Sequence, residues 1–258
     1  MNRFARASFA AVALLAAAPA LALTNDHGVV VFTQADVLAG NVTPGDSPGF
    51  PVTLSVAGAS YRLGSSLTVT SAVNGIEVRA NEVTIDMGGF TLAGSGVGRN
   101  GITSFNRTLT VRNGTIRGFT LDGVRTIAAL LAIDTMVITA NGRVGVWVDS
   151  LGALTKLPFT SVRASKLASN SGGGMLCGSY CLVENSIVSL NGGAGIYFDG
   201  FGGIALGNTV VDNLGHGIYF SLPGGAGNNV AMNNSFGQFS GSYTAMQPNA
   251  CIPACVPN

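Results

Sequence analysis

Two aspartates, Asp149 and Asp199, close short runs of alternating apolar residues, VWVD and IYFD. A carboxylate pair about 6.5–9.5 Å apart can serve as acid and base in inverting glycoside hydrolysis. A nearby cation, Arg125 or Lys156, suits a different chemistry, proton abstraction beside a sugar carboxylate whose charge must be neutralised. Trp147, Tyr197 and Tyr219 belong to the same kind of run. Their rings suit the apolar face of a sugar, at about 1 kcal/mol per contact. A Gly215-His216-Gly217 triplet adds an imidazole. Four cysteines form two Cys-x-x-x-Cys pairs, Cys177/Cys181 and Cys251/Cys255. A zinc site would need four converging ligands, and only His27 and His216 could assist, so disulfides are the favoured reading. No three carboxylates cluster in the chain, so neither a metal site nor a cofactor is expected.

These side chains need a scaffold, and a repeat supplies one. A glycine followed by an apolar residue recurs at Gly75, Gly101, Gly123, Gly145, Gly174, Gly195 and Gly217, then in degenerate form at Gly237. The spacings are 26, 22, 22, 29, 21, 22 and 20. Asparagine stands four residues before the glycine at Asn141, Asn170, Asn191, Asn213 and Asn233, and reads as a turn residue. A second pattern, apolar-x-apolar-x-Asn, appears as LTVRN (109–113), CLVEN (181–185) and IALGN (204–208). One unit of this length cannot bury its own apolar face, but stacked units can.

Stacked coils place equivalent residues about 4.8 Å apart. The column after each glycine then faces inward: Ile76, Ile102, Val124, Val146, Met175, Ile196 and Ile218. The next residue faces outward and reads Glu77, Thr103, Arg125, Trp147, Leu176, Tyr197, Tyr219 and Phe239. At the last unit the inward positions become Gln238 and Ser240, where the core is expected to end. Asp149 and Asp199 fall in a further outward column, two coils and about 9.6 Å apart, with Gly178 between them. Asp86 and Asp134 are placed at mid-repeat turns. Two repeats are longer than the rest; their added segments carry Arg99 and Lys156 and are expected to wall the outward face.

This pattern resembles the right-handed parallel β-helix family of pectate lyases, polygalacturonases, alginate epimerases and exported bacterial proteins of unassigned activity. The resemblance implies an all-β fold, a right-handed single-stranded parallel β-helix of about seven to eight coils. The expected layout is a signal peptide at 1–22, an N-terminal cap at 23–62, the helix at 63–240 and a covering tail at 241–258. In such polysaccharide enzymes the outer face of this sheet commonly carries the substrate cleft. Gly215-His216-Gly217 resembles one element of the polygalacturonase signature, but its companions are missing. No Asp-Asp occurs, Asn208-Thr209 is followed by Val210, and no Arg or Lys follows Lys166. His216 therefore reads as a variable turn position.

Composition narrows the function. The segment MNRFARASFAAVALLAAAPALA has a basic start, a short apolar run and a small-x-small end, which reads as a secretory signal peptide rather than a membrane anchor. A secreted protein with no membrane span is expected. Without Arg3 and Arg6, the 13 basic residues fall to 11 against 12 acidic ones. That near balance offers no basic surface for nucleic acid. The expected partner is a polysaccharide or cell-surface glycan, bound and, if the aspartates act, processed. The alternative is a non-catalytic structural or cell-surface module.

Overall fold

The computed structural model describes residues 28–127, 130–149, 159–252 and 255. The run read as a signal peptide and Lys156 lie outside the described residues. The chain is a parallel β-solenoid of about nine turns, with almost no helix. Among the described residues, twenty-four strands, all paired in parallel, stack into three faces that the chain visits in turn. Sheet I runs from Val52–Leu54 through Ile76–Val78, Ile102–Phe105, Val124–Ile127, Val146–Asp149, Met175–Cys177 and Ile196–Phe198 to 218–220 and 239–241. Sheet II begins with Val29–Phe32 and Ser60–Leu63, and sheet III with Leu67–Thr68.

The inward column expected from the repeat is in place. Ile76, Ile102, Val124, Val146, Met175, Ile196 and Ile218 are all fully buried. The repeat glycines are required for a close approach rather than for a special φ. A Cβ on Gly174 would collide with Val188 Cγ1 and lie 2.6 Å from the Gly195 carbonyl of the next coil. The same crowding against the next coil's carbonyl holds from Gly75 to Gly217.

Of the five asparagines read as turn residues, Asn233 takes the left-handed bend, while Asn141, Asn170, Asn191 and Asn213 stand one position past it. The left-handed backbone lies just before each inward-turned asparagine: at Ala140, Ser169, Leu190 and Asp212, and at Asn233 before Asn234. The asparagine that follows turns its amide inward. From Asn141 through Asn170, Asn191 and Asn213 to Asn234, each donates its backbone N–H and its side-chain amide to the Oδ1 one coil on. The ladder ends on Gln238 Oε1. A second ladder runs Asn208–Asn229–Asn249 at another corner. These buried amides supply partners for backbone groups that a sharp bend would otherwise orphan.

Two register expectations are corrected. In the last coil Ile218 pairs with Phe239, so Gln238, not Gly237, takes the glycine's place. Phe239 is therefore inward and buried, packed beside Tyr243, and Ser240 takes the outward position. The core continues there because Asn234, not Asn233, joins the ladder. In IALGN, Ala205 is the buried residue, and Asn208 is a ladder residue one position past the bend at Gly207. Gly203 stands at the preceding inward position, since a Cβ there would collide with the Phe198 ring.

The segments expected as cap and tail both add strands. Val52–Leu54 and Ser60–Leu63 pair in the sheets, and so does Ala250–Ile252. Residues 33–51 also cover the first edge. Helix α1 (Gln34–Ala39), N-capped by Thr33, buries Val37 in the core. Gln34 Oε1 accepts the Thr68 N–H, Asp46 Oδ1 accepts the Thr53 N–H, and Thr43 donates to the Thr53 carbonyl. Open edge groups of the first strands are thus satisfied by side chains, which blocks strand addition from another molecule.

Asp86 and Asp134 lie on strands of sheet II rather than at turns. With them, one outward column reads Arg62, Asp86, Arg112, Asp134, Arg163, Glu184, an alternation of charge over six consecutive rungs. Arg112 pairs with Asp86 at 3.4 Å and Arg163 with Glu184 at 2.6 Å. Opposite charges directly across strands stabilise, and a one-residue slip would put them out of register.

Two outcomes are expected. Asn191→Ala removes the Oδ1 that accepts both Asn170 N–H groups and one of the two donors to Asn213 Oδ1, and should cost on the order of 3 kcal/mol in urea unfolding. Asp134→Lys creates three adjacent cations and should cost on the order of 1 kcal/mol, a loss that shrinks in high salt.

Candidate functional site

The outward column of sheet I stands as the repeat implied, from Glu77 through Thr103, Arg125, Trp147, Leu176 and Tyr197 to Tyr219. Its eighth member is Ser240 instead of Phe239. The side chains are not one flat platform. They divide into three tiers along the solenoid.

The first tier is an open groove of about 310 Å³ over the early coils. Glu77, Arg79, Thr103, Phe105, Arg125 and Ile127 line it. Arg79 pairs with Glu77 at 2.9 Å, and Phe105 is 60 % exposed. An aromatic ring this exposed on a regular strand, beside a paired acid and base, is the feature least explained by folding.

The second tier is Trp147. The guanidinium carbons of Arg125 and Arg143 each lie 4.4 Å from its ring centroid. The ring is engaged by the protein's own cations, a stabilising contact that competes with a sugar for its surface. Both arginines are oriented by Asp122, a fully buried carboxylate to which the repeat pattern assigned no role. Its Oδ1 accepts the Val144 N–H at 3.1 Å and faces Arg143 at 3.7 Å, and its Oδ2 faces Arg125 at 3.5 Å. Burial raises the Asp122 pKa above its ordinary 3.8, opposed by the Val144 N–H and the two guanidiniums. A signal for it existed. Asp122 stands immediately before a repeat glycine, in the column of Asn74 and Asn100, so a charge replaces an amide in a ladder position.

The third tier holds Tyr197 and Tyr219. Their rings stack with centroids 5.0 Å apart and planes 23° apart. Stacked along the coil axis, they cover one another's faces and turn edges outward. The Tyr197 hydroxyl donates to Asp199 Oδ1 at 3.2 Å and lies 3.0 Å from Ser221 Oγ.

Asp149 and Asp199 occupy one column. Gly178 lies between them, donating its N–H to the Val148 carbonyl while Asp199 N–H donates to Cys177. Two rungs set the two backbones about 9.6 Å apart. Asp199 is exposed and Asp149 half-buried. The structure therefore joins Arg125 to Trp147 and Tyr197 to Tyr219 and Asp199, with Leu176 separating the two groups. The extra residues of the longer early repeat, around Arg99, form a tight turn against Phe119 at the corner leading into sheet I. The disulfides Cys177–Cys181 and Cys251–Cys255 are formed, the first closing the corner beside Gly178.

Comparison with protein-family models, curated proteins and solved structures found no match. Among the described residues no three His, Cys, Asp or Glu side chains converge as a metal site would need. Nor is any helix there long and apolar enough to cross a membrane.

The environment of Asp122 makes stability depend on pH in a defined direction. An acid whose folded pKa is raised costs the folded state nothing below 3.8 and progressively more as pH rises through the raised value. Relative to Asp122→Asn, the wild type should lose stability from about pH 3.8 upward, read by urea unfolding at several pH values. A flat difference would show that the arginines fully offset the burial.

Proposed function

We propose that the protein is exported and binds a polysaccharide in the groove on the outer face of sheet I. The observation that carries this reading is Phe105, an exposed ring in an open groove walled by Glu77, Arg79, Thr103 and Arg125. A sugar ring presents C–H groups to an aromatic face and hydroxyls around its edge. Phe105 suits the first, while a carboxylate and guanidiniums offer acceptors and donors for the second. The groove's volume is at the small end for ligand sites, matching a short stretch of a longer chain. Its sides are open, as an extended polymer requires.

Binding without turnover is the reading we favour. The charges nearest the groove are already held in ion pairs, Glu77 with Arg79 and Arg125 with Asp122. A catalytic acid or base works best when poised to exchange its proton near the working pH. Asp149 and Asp199 are the residues that would carry hydrolysis if turnover occurs, because of their shared column and separation.

Affinity electrophoresis of the secreted protein against neutral and uronate polysaccharides tests both points. Phe105→Ala should weaken retardation by about tenfold at unchanged melting temperature. Equal retardation of the variant would remove the groove from consideration. New reducing ends that disappear in Asp149→Asn would replace binding by hydrolysis.

A further inference from the structure

The register of the last coil brings together two side chains that the groove does not use. Because Ile218 pairs with Phe239, Ser240 follows Tyr219 in the outward column. There its Oγ lies 3.0 Å from His216 Nδ1. Serine hydroxyls are poor nucleophiles alone and become effective when a positioned base takes the proton. We propose that Ser240 and His216 form a nucleophile–base pair that cleaves small carboxylic esters by acyl transfer.

The imidazole is held by its neighbours. Its ring stacks on Tyr219, centroids 5.0 Å and planes 30° apart, and meets the edge of Phe236 at 5.9 Å and 71°. These contacts leave Nδ1 aimed at the hydroxyl. Ser240 is 8 % exposed and His216 half-buried, and the pair's neighbour Gly237, whose φ of 129° is in glycine's territory, carries no side chain. A Cβ there would sit 3.4 Å from Ser240 Oγ and 3.8 Å from His216 Nδ1. Bare backbone therefore borders the pair on that side. Among the described residues, the strand Phe239–Ala245 pairs with a neighbour on one side only. Alternate N–H groups of a strand so placed point away from the stack, as donors for an oxygen that gains charge. The coil before has Ala194 in the position of His216, so the pair belongs to this coil and is not a repeat feature.

The step balances as follows. Ser240 Oγ forms a bond to the acyl carbon as its proton passes to Nδ1, and the carbonyl π electrons move to oxygen. Collapse breaks the bond to the alkoxy oxygen, which leaves as the alcohol with the proton from Nδ1. Water then attacks the acyl carbon, gives a proton to Nδ1, and collapse returns that proton to Oγ with release of the carboxylic acid. The only co-reactant is water.

The test uses the mature chain with p-nitrophenyl acetate and with a fluorophosphonate, no polysaccharide being present, so its outcome is independent of the groove. An acetyl or phosphonyl adduct on the Ser240 peptide is expected by mass spectrometry. It should vanish in Ser240→Ala and form about 100-fold or more slowly in His216→Gln. Ser240→Cys provides a second variant, whose alkylation by iodoacetamide should slow when His216→Gln is added. No adduct at Ser240 under conditions that label a serine hydrolase to completion would overturn the proposal. So would an adduct rate, or an alkylation rate of the introduced thiol, that is the same with and without His216.

Discussion

Every feature of this protein depends on one coil lying directly on the next. The constraint is tightest at the corner before sheet I. There the backbone carbonyl of one coil approaches the α-carbon of the coil before it, so closely that only glycine fits. The same corner holds the buried asparagine ladder, whose amides serve backbone donors that neither strand nor solvent can satisfy. The glycine makes the approach possible, and the amide makes the buried bend tolerable. The bend itself falls on whatever residue precedes the asparagine, even Leu190, because the ladder offsets the cost of a left-handed backbone.

With the coils in register, each face acquires its character by stacking like positions. On sheet II the result is an alternating charge column that opposes slippage. On sheet I it is a sequence of separate tiers: a groove, a tryptophan held by two arginines, a pair of stacked tyrosines, and a histidine–serine contact. Rungs about 4.8 Å apart match the stacking distance of aromatic rings. Two tyrosines in adjacent coils therefore turn to face each other rather than solvent. That geometry is why the proposed glycan contact rests on Phe105 rather than on Trp147 and Tyr197.

Much of the fold was legible in the chain. The glycine period, the inward column from Ile76 to Ile218 and the outward column from Glu77 to Tyr219 follow from counting, because stacking preserves spacing. The lapses occur where one residue is gained or lost. Gly237 mimics the repeat glycine, yet Gln238 occupies its place, since its side chain can end the ladder and Phe239 can then fill the core. IALGN mimics CLVEN, yet its apolar positions are displaced because Phe198 already fills the space inside. The column of Asp122 was legible, but its role comes from neighbours on other coils, Val144 and Arg143 among them.

The architecture follows from the residue pattern: a repeated short unit with glycine at the close approach and alternating apolar residues can bury its core only as a stack. As far as Tyr219 the pattern also fixes which side chains of sheet I share a face. Which contacts those side chains make depends on the wound chain. Register at the last coil turns on whether Phe239 or Gln238 packs inward, a difference in core filling that no local pattern encodes. The pairing of Arg125 and Arg143 over Trp147, the stacking of Tyr197 on Tyr219 and the meeting of His216 with Ser240 all join residues from different strands or turns. They arise from distances between coils, which appear only when the chain is wound.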